Sequence, residues 1–487
     1  MMSLMELLRD AGVPSIGPLP DVRVDDVVSD SRKAKPGAVF CAVRGTTQDG
    51  NDWADRALAA GCVAVLTDRR ECAHLPSRVL VHSSQGAVGP IARALWGKPD
   101  AGMKTIAVTG TNGKTSTVFL AEAMLREAGL APALSSTVAV RYPGFEAKSD
   151  MTTPDAVKLW EFVRDARDAG AKSLAVEVSS HALHQGRIGG LAFDAAIFTN
   201  LTRDHLDYHG TLAEYFAAKS QLFTRHLKPQ GVAIVNLDDT YGRILSGHLG
   251  ENFRGVSFTD PKADWRVLDL RTSLEGNRFR LVSKGFDLLL ESPLVGEVFA
   301  RNLAGAAAAA LELGIDPEAV RRAAATTRVP GRCQVVRRKD RCGVVDYAHT
   351  PDALERLLEG LRPLVSGKLV CVFGCGGGRD HGKRPLMGGI AARLSDIAFA
   401  TSDNPRTEDP EAILDEVFQG IPDASHVRRL VDRREAIRAA VASCGSEDLV
   451  VVAGKGHEDY QTVGTEKHHF DDVEELDAAF RSAEESR

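Results

Sequence analysis

Residues 104–119 run Lys-Thr-Ile-Ala-Val-Thr-Gly-Thr-Asn-Gly-Lys-Thr-Ser-Thr-Val-Phe, and no other stretch constrains the chain so tightly. Thr105 to Val108 is a mostly β-branched apolar run, which predicts a buried strand. From Lys114 onward, Val118, Leu120, Met124 and Leu125 lay an apolar stripe along a helix. Between them lie Gly110, Thr111, Asn112, Gly113, Lys114, Thr115 and Ser116. A strand turning through glycines into a helix exposes backbone N–H groups at the positive end of the helix dipole, a seat for polyphosphate. Lys114 would reach the β- and γ-phosphates and the Thr115 hydroxyl would ligate Mg²⁺. The longer form of this loop carries a glycine where Val108 stands, so this is a shortened G-x-x-G-K-T version. The plain alternative is a tight turn with a surface lysine, but strand, loop and helix all agree on a nucleoside triphosphate site.

Composition bounds the rest. Length of 487 residues predicts about three domains at roughly 150 residues each. A net charge of −6 argues against nucleic acid or anionic membrane as the main partner. Acidic residues interrupt the apolar start, so no signal peptide is expected. No run reaches membrane-span length either; the alanine tract at 306–310 reads as an amphipathic helix interior. Eight cysteines with no C-x-x-C point to a reduced, cytoplasmic protein.

Along residues 1–99 short strands are predicted at Val39–Val43, Val63–Leu66 and Val79–Val81, with a helix near Trp53–Ala60. Gly97-Lys98-Pro99-Asp100 reads as a linker. Over 100–329, strands (Ser173–Val178, Phe193–Thr199, Val232–Asn236) alternate with helices (Leu212–Leu227, Leu303–Leu313), the pattern of a mostly parallel sheet with helices on both faces. Residues 265–292 alternate instead, predicting a small antiparallel excursion. After the break at Val329-Pro330-Gly331, strands at Val344–Asp346, Leu369–Phe373, Asp396–Ala400 and Leu449–Val452 predict another α/β domain, 330–487, of Rossmann-like form. The fold class is therefore α/β in three domains: a smaller N-terminal one, a central P-loop-type one, and a C-terminal one.

Thr199 to Gly210 sits where a strand ends, the position at which open α/β sheets place ligands. His205, Asp207 and His209 raise a zinc hydrolase as one reading, yet neither His-Glu-x-x-His nor a cysteine partner accompanies them. A hard Mg²⁺ beside phosphate needs few protein ligands, and Glu177, at another strand end, is a natural carboxylate for it.

Six segments stand in the order seen in the Mur ligases: Gly110–Thr115, Glu177-Val-Ser-Ser-His181, Asn200-Leu-Thr-Arg-Asp-His-Leu-Asp207, Ala218-Lys219, Pro330-Gly-Arg332 and Asp346-Tyr-Ala-His-Thr-Pro-Asp352. The chain resembles these ATP-dependent amide-forming enzymes of peptidoglycan synthesis over essentially its whole length. The resemblance implies a carboxylate activated as an acyl phosphate and attacked by an amine. Within the family it points to the step that adds meso-diaminopimelate to UDP-N-acetylmuramoyl-L-alanyl-D-glutamate. It implies Lys114, Glu177, His205 and Lys219 as catalytic, with Thr115, Glu177, His205 and Lys219 holding Mg²⁺, Lys219 after carbamylation by CO₂. Without the resemblance, Lys219 reads as a solvent lysine on a helix. Ser116 joins the ATP loop, and Asn302, Arg332 and Asp346 match positions that contact adenine, the transferring phosphoryl group and ribose. Ser31, Thr152, Thr153, Ser179, Gln185 and Arg187 match positions that bind the UDP-muramoyl dipeptide. A monomer is expected.

Asp403-Asn404-Pro405-Arg406 follows one strand and Gly454-Lys-Gly-His-Glu458 another. Diaminopimelate has a second amino-carboxylate centre at its far end. A guanidinium reads a carboxylate bidentately, and Glu458 suits the ammonium. By resemblance Arg379 grips a further carboxylate, and relatives taking lysine typically lack the arginine of the tetrapeptide. The chain departs from the family at Cys333-Gln334 and at Val298-Phe299-Ala300, which touches details of nucleotide contact and leaves every charged group for phosphoryl transfer in place. Competing readings are a sibling ligase for lysine or another amino acid, a folate polyglutamylating enzyme, and a nucleotide switch or transport ATPase. The tetrapeptide and the first domain argue against the first two, and nothing reads as an energy-coupling surface for the last.

Overall fold

A computed structural model describes residues 1–45, 48–72 and 74–485. The chain forms two compact units, one of residues 1–255 with 305–316 and one of residues 256–304 with 317–487.

In the first unit, the central sheet runs Phe145–Lys148, Ala139–Tyr142, Pro132–Ser135, Ser173–Glu177, Lys104–Thr109, Phe193–Phe198, Leu227–Asn236. The last five strands are parallel and the first two form an antiparallel hairpin. Lys104–Thr109 lies between strands that come later in the chain, so its C-terminal end opens at a crossover of the topology, where such sheets bind ligands. Its core residues Ile106, Ala107 and Val108 are fully buried, as helices on both faces require. Residues 15–81 add a second sheet, ordered Ser15–Ile16, Arg78–Val81, Ala64–Thr67, Ala38–Cys41, Asp26–Val28. The helix Ser84–Leu95 that follows packs close to the loop at Gly189: a methyl on Gly89 would stand 2.0 Å from the Gly189 carbonyl oxygen. That same oxygen accepts the indole N–H of Trp160 at 2.9 Å. Both sheets contribute to one continuous apolar core, which includes Leu7, Val39, Ile91, Trp160, Val176 and Phe198.

The second unit holds the antiparallel meander Trp265–Ser273, Gly276–Ser283, Phe286–Ser292 expected for 265–292. It also holds a six-stranded sheet, ordered Gln334–Arg338, Arg341–Asp346, Leu449–Ala453, Leu369–Cys375, Ile397–Ser402, Val427–Arg429. All its pairings after the first are parallel. The strand ends Ala453 and Ser402 therefore point the same way, on either side of Cys375.

Several boundaries differ from the sequence reading. The helix expected at Leu212–Leu227 stops at Arg225, and Leu227 begins the next strand. The helix expected from Leu303 starts at Glu297. Trp53 ends a short 3₁₀ turn from Gly50, and the helix proper is Ala54–Ala59. The alanine tract is not amphipathic: Ala306 to Ala310 are all fully buried, because small side chains let neighbouring elements close around every face of that helix. All eight cysteines carry free thiols. Among the described residues no helix is long and apolar enough to cross a membrane.

Candidate functional site

The strand Lys104–Thr109 hands over to the helix Lys114–Glu127 through Gly110 and Gly113, both at positive φ (+152° and +84°). Gly110 is irreplaceable on space alone, since a Cβ there would lie 1.9 Å from the Thr199 hydroxyl. The neighbouring strand end braces the loop. Asn200 accepts the Asn112 N–H on Oδ1 at 3.0 Å and donates its amide to the Asn112 carbonyl at 3.1 Å, while Thr111 N–H bonds the Asn200 carbonyl at 2.8 Å. Lys114 Nζ donates to the Thr111 carbonyl at 2.8 Å, folding back over the loop.

Glu177 is buried at the end of its strand. Its Oε1 accepts the Thr115 hydroxyl at 3.2 Å and the Thr137 hydroxyl at 2.9 Å, and its Oε2 takes the Thr137 N–H at 2.9 Å. A hydroxyl and a carboxylate oxygen thus converge at the mouth of a phosphate-type loop, a donor set that fits a hard divalent cation. Lys219 lies on the helix Leu212–Arg225 with its side chain fully buried. Nζ donates to the Gly110 carbonyl at 2.6 Å and sits 4.5 Å from the Tyr215 ring centroid. Burial, and then the Lys114 charge, push its ammonium well below the ordinary lysine range. The plain expectation of a solvent lysine is overturned: tertiary packing points the side chain inward at the loop.

His205 sits at positive φ (+54°) before the turn Leu206–His209, with its imidazole 3.4 Å from Asp204. It packs 4.9 Å from the His181 ring and 6.1 Å from Tyr215. Burial lowers His205, and takes His181 and His209 down to about 4, so these rings are neutral at pH 7. The His205–Asp207–His209 zinc reading gains no support: among the described residues no three His, Cys, Asp or Glu side chains converge as a metal-binding group.

Beside Glu177, the Thr152 hydroxyl lies 3.0 Å from that of Thr137, and Thr153 donates its hydroxyl to the Glu177 carbonyl at 2.9 Å and takes the Ser179 N–H at 3.1 Å. Ser179 caps the short helix Ser180–His184. Arg187 bonds Gln185 Oε1 and the Thr153 carbonyl (3.0 Å), so Thr152, Thr153, Ser179, Gln185 and Arg187 form one connected group. Ser31 opens the 3₁₀ turn Ser31–Lys33 after the strand Asp26–Val28, where Asp30 caps the turn and grips Arg32. Ser116 is buried within the first turn of its helix.

The remaining predicted residues belong to the second unit. Asn302 is buried there, and its side-chain amide nitrogen has no hydrogen-bond partner among the described residues. Asp346 accepts the Cys333 N–H at 2.6 Å and the Ala348 N–H at 2.8 Å; burial raises its carboxyl, against the pull of Arg332. Arg332 lies over the Tyr347 ring at 4.4 Å and 3.3 Å from His457 Nδ1.

Two strand ends meet as the sequence suggested. Asn404, buried, donates its amide to Glu458 Oε2 at 2.8 Å, and Gly454 sits at φ +122°, a backbone conformation that favours glycine, where a Cβ would stand only 2.6 Å from Asp403 Oδ2. Arg406, at φ +53°, donates Nη1 to the Gly377 carbonyl at 2.5 Å. Gly377 in turn packs on Pro405, whose carbonyl oxygen would be 2.0 Å from any Cβ there. Arg379, two residues on, is exposed. The glycine loop is fastened from below: fully buried Arg384 bonds the Gly376 carbonyl (3.3 Å) and Glu408 (2.8 Å), and Glu408 accepts the Gly378 N–H. The ion pair Arg433–Asp472, buried on both sides, also bonds the Ala453 carbonyl and anchors the end of that strand.

The sequence reading assigned no role to Thr137, Tyr215, Arg384, Lys455 or Asn200. Lys455 and Asn200 each follow a strand end within a motif, which was the available signal for both.

Three family models match the chain: "Mur ligase family, catalytic domain" at residues 23–91, "Mur ligase middle domain" at 108–310, and "Mur ligase, glutamate ligase domain" at 331–456. The UDP-N-acetylmuramoyl-L-alanyl-D-glutamate–2,6-diaminopimelate ligase of Trichormus variabilis is 44% identical over 99% of this chain and 100% of its own length. That of Geobacter metallireducens is 39% identical over 99% and 98%. A solved structure of a UDP-N-acetylmuramoyl-L-alanyl-D-glutamate–2,6-diaminopimelate ligase superposes with a TM-score of 0.72 at 37% identity, covering 95% of both chains. The fold is also shared with the MurF ligase of Thermotoga maritima in complex with ADP, at TM-score 0.62 and 20% identity over 96% and 99% of the two chains.

Proposed function

We propose that this chain, which belongs to the Mur ligase family, is the ATP-dependent ligase that joins meso-diaminopimelate to UDP-N-acetylmuramoyl-L-alanyl-D-glutamate in the cytoplasm, acting as a monomer. The observation that carries this is the convergence of the Thr115 hydroxyl and the Glu177 carboxylate at the mouth of the Gly110–Thr115 loop, with Lys219 buried behind it.

The reaction needs the γ-phosphoryl group of ATP held in line with a substrate carboxylate oxygen. Transfer forms a P–O bond to the carboxylate and breaks the bond to ADP. The amine then attacks the acyl carbon, loses a proton, and phosphate leaves with the C–O pair. The N–H groups from Gly113 to Thr115 at the helix start and the Lys114 ammonium take the charge that spreads over the phosphoryl oxygens. Thr115, Glu177, His205 and a carbamylated Lys219 would hold Mg²⁺, which neutralises phosphate charge. Lys219 suits carbamylation because burial favours its neutral amine, the form that adds CO₂, and the Lys114 charge beside it suits the resulting anion. A neutral His205 leaves a nitrogen lone pair for coordination. Asn302, with its unpartnered amide nitrogen, Arg332 and Asp346 serve the adenine, phosphoryl and ribose parts of the nucleotide.

The work divides among residues 1–99, with Ser31 for the UDP portion, residues 100–329 for phosphoryl transfer, and residues 330–487 for the amino acid. Thr152, Thr153, Ser179, Gln185 and Arg187 take the muramoyl dipeptide. Arg379, Asp403, Asn404, Pro405, Arg406, Gly454 and Glu458 take diaminopimelate: guanidinium groups for carboxylates, Glu458 for the ammonium. The test is mass detection of product from UDP-muramoyl dipeptide, ATP and a panel of amines. Product with diaminopimelate and little with lysine is expected; the reverse order refutes the substrate, and ATP turnover with no amide refutes the reaction.

A further inference from the structure

Lys455 is fully buried between two glycines that allow no side chain of their own: a Cβ on Gly454 would meet Asp403, and one on Gly456 would stand 2.6 Å from Tyr347 Cβ. The backbone on either side of it therefore packs closely on Asp403 and Tyr347. Nζ donates to Asn404 Oδ1 at 3.4 Å and to Glu458 Oε2 at 3.5 Å, both long for a charged donor. Asn404 Oδ1 also accepts the Thr462 N–H at 2.8 Å, so both donors fix the orientation of the amide and turn its Nδ2 onto Glu458 Oε2. The three side chains form a closed triangle in which Glu458 Oε1 carries none of these bonds.

A buried ammonium whose two hydrogen bonds are long and whose third neighbour is the Tyr460 ring, 5.5 Å away, is costly to keep unless its charge serves something. Its immediate surroundings show what. Glu458 faces Asp403 across the site, with Tyr347 and Tyr460 nearby and the Arg433 guanidinium already bound to Asp472. Two carboxylates in a half-buried setting favour proton uptake by one of them. Burial and Asp403 do raise Glu458, and Lys455 opposes them. A protonated Glu458 would offer an incoming ammonium a neutral carboxyl in place of an anion.

We infer that Lys455 is a positioning residue for amino-acid selection, which keeps Glu458 ionised and, through Asn404, aims its open oxygen at the ammonium of the incoming amino acid. This rests on the reading of Asn404 and Glu458 as part of the diaminopimelate site.

The experiment uses the full-length enzyme with a non-hydrolysable ATP analogue and UDP-muramoyl dipeptide bound. Binding of meso-diaminopimelate is followed by titration calorimetry in two buffers of different ionisation enthalpy, alongside kcat/KM against pH. Wild type should bind with only the proton release, and show only the pH profile, that the reacting ammonium itself requires. Lys455→Met, unbranched and similar in length, should release up to about one further proton per ligand, and the ratio of its kcat/KM to that of the wild type should climb by up to about tenfold per pH unit before levelling. The additional release should vanish in Lys455→Met/Glu458→Gln, and the ATP-analogue affinity should stay at the wild-type value throughout. A Lys455→Met enzyme with the wild-type profile and no additional proton release overturns the inference. Lys455→Gln supplies the same contrast where the methionine variant fails to fold, and equal proton release by the wild type and that variant refutes the idea. If Glu458→Gln alone leaves diaminopimelate use untouched, the site reading itself falls, and the inference with it.

Discussion

Replacing Arg406 with alanine isolates the choice of amino acid. The backbone there sits at φ +53°, a conformation that costs any residue with a Cβ on the order of 1–2 kcal/mol. Arginine and alanine bear that cost alike, so Arg406→Ala adds no backbone strain. Its backbone bonds, N–H to the Thr462 carbonyl and carbonyl from the Gly464 N–H, are untouched. What disappears is the guanidinium, which among the described residues hydrogen-bonds the Gly377 carbonyl. The side chain is half-buried, so its pairing with a ligand carboxylate belongs at the lower end of the range for desolvated charge pairs, about 2–3 kcal/mol. At about 1.4 kcal/mol per decade, that is roughly 30- to 150-fold in kcat/KM for diaminopimelate. Lysine has no far carboxylate and should lose little, so the diaminopimelate-to-lysine ratio should collapse by the same factor. The assay is product formation by mass spectrometry with each amine under saturating ATP and sugar nucleotide. An unchanged ratio would refute the reasoning, leaving Asp403–Arg406 as a turn held by Gly377 and Thr462.

Other expectations follow from the loop and the second unit. Lys114→Ala should abolish turnover while UDP-muramoyl dipeptide binding stays near wild type, because the lost charge acts on phosphoryl oxygens; amide formation at the wild-type rate would exclude the phosphate role. Lys219→Ala should lose activity that short carboxylic acids partly restore, and bicarbonate removal should slow the wild type; full activity in the variant would dispose of the carbamate. Gly110→Ala, with its methyl 1.9 Å from the Thr199 hydroxyl, should lower stability by about 1–3 kcal/mol in urea titration and weaken ADP binding. Asp472→Ala strands the fully buried Arg433 and should cost about 3–5 kcal/mol of stability, read as a drop in the denaturation midpoint.

Much of this protein was legible along the chain because its chemistry follows elements whose signals are local. A β-branched run, two glycines and an apolar helical stripe are enough to specify the turn at Gly110–Thr115. The strand ends at Glu177, Asp403 and Gly454 could be placed from short apolar runs, and the meander at 265–292 from its alternation. The hairpin Ala139–Lys148 went unseen, since its second strand is exposed throughout and offers no buried face to pattern.

What tertiary structure alone decided are partnerships between residues far apart in sequence. Thr137 satisfies both Glu177 oxygens from 40 residues away. Lys219 looks like any helix-surface lysine until the packing of Leu212–Arg225 turns it onto the Gly110 carbonyl, where burial makes its neutral form accessible. Lys455 meets Asn404 only because parallel strands bring Ala453 and Ser402 to the same edge of one sheet. Residue type and spacing record propensity and period. Burial, and with it the charge a side chain keeps, depends on which distant segment arrives to cover it.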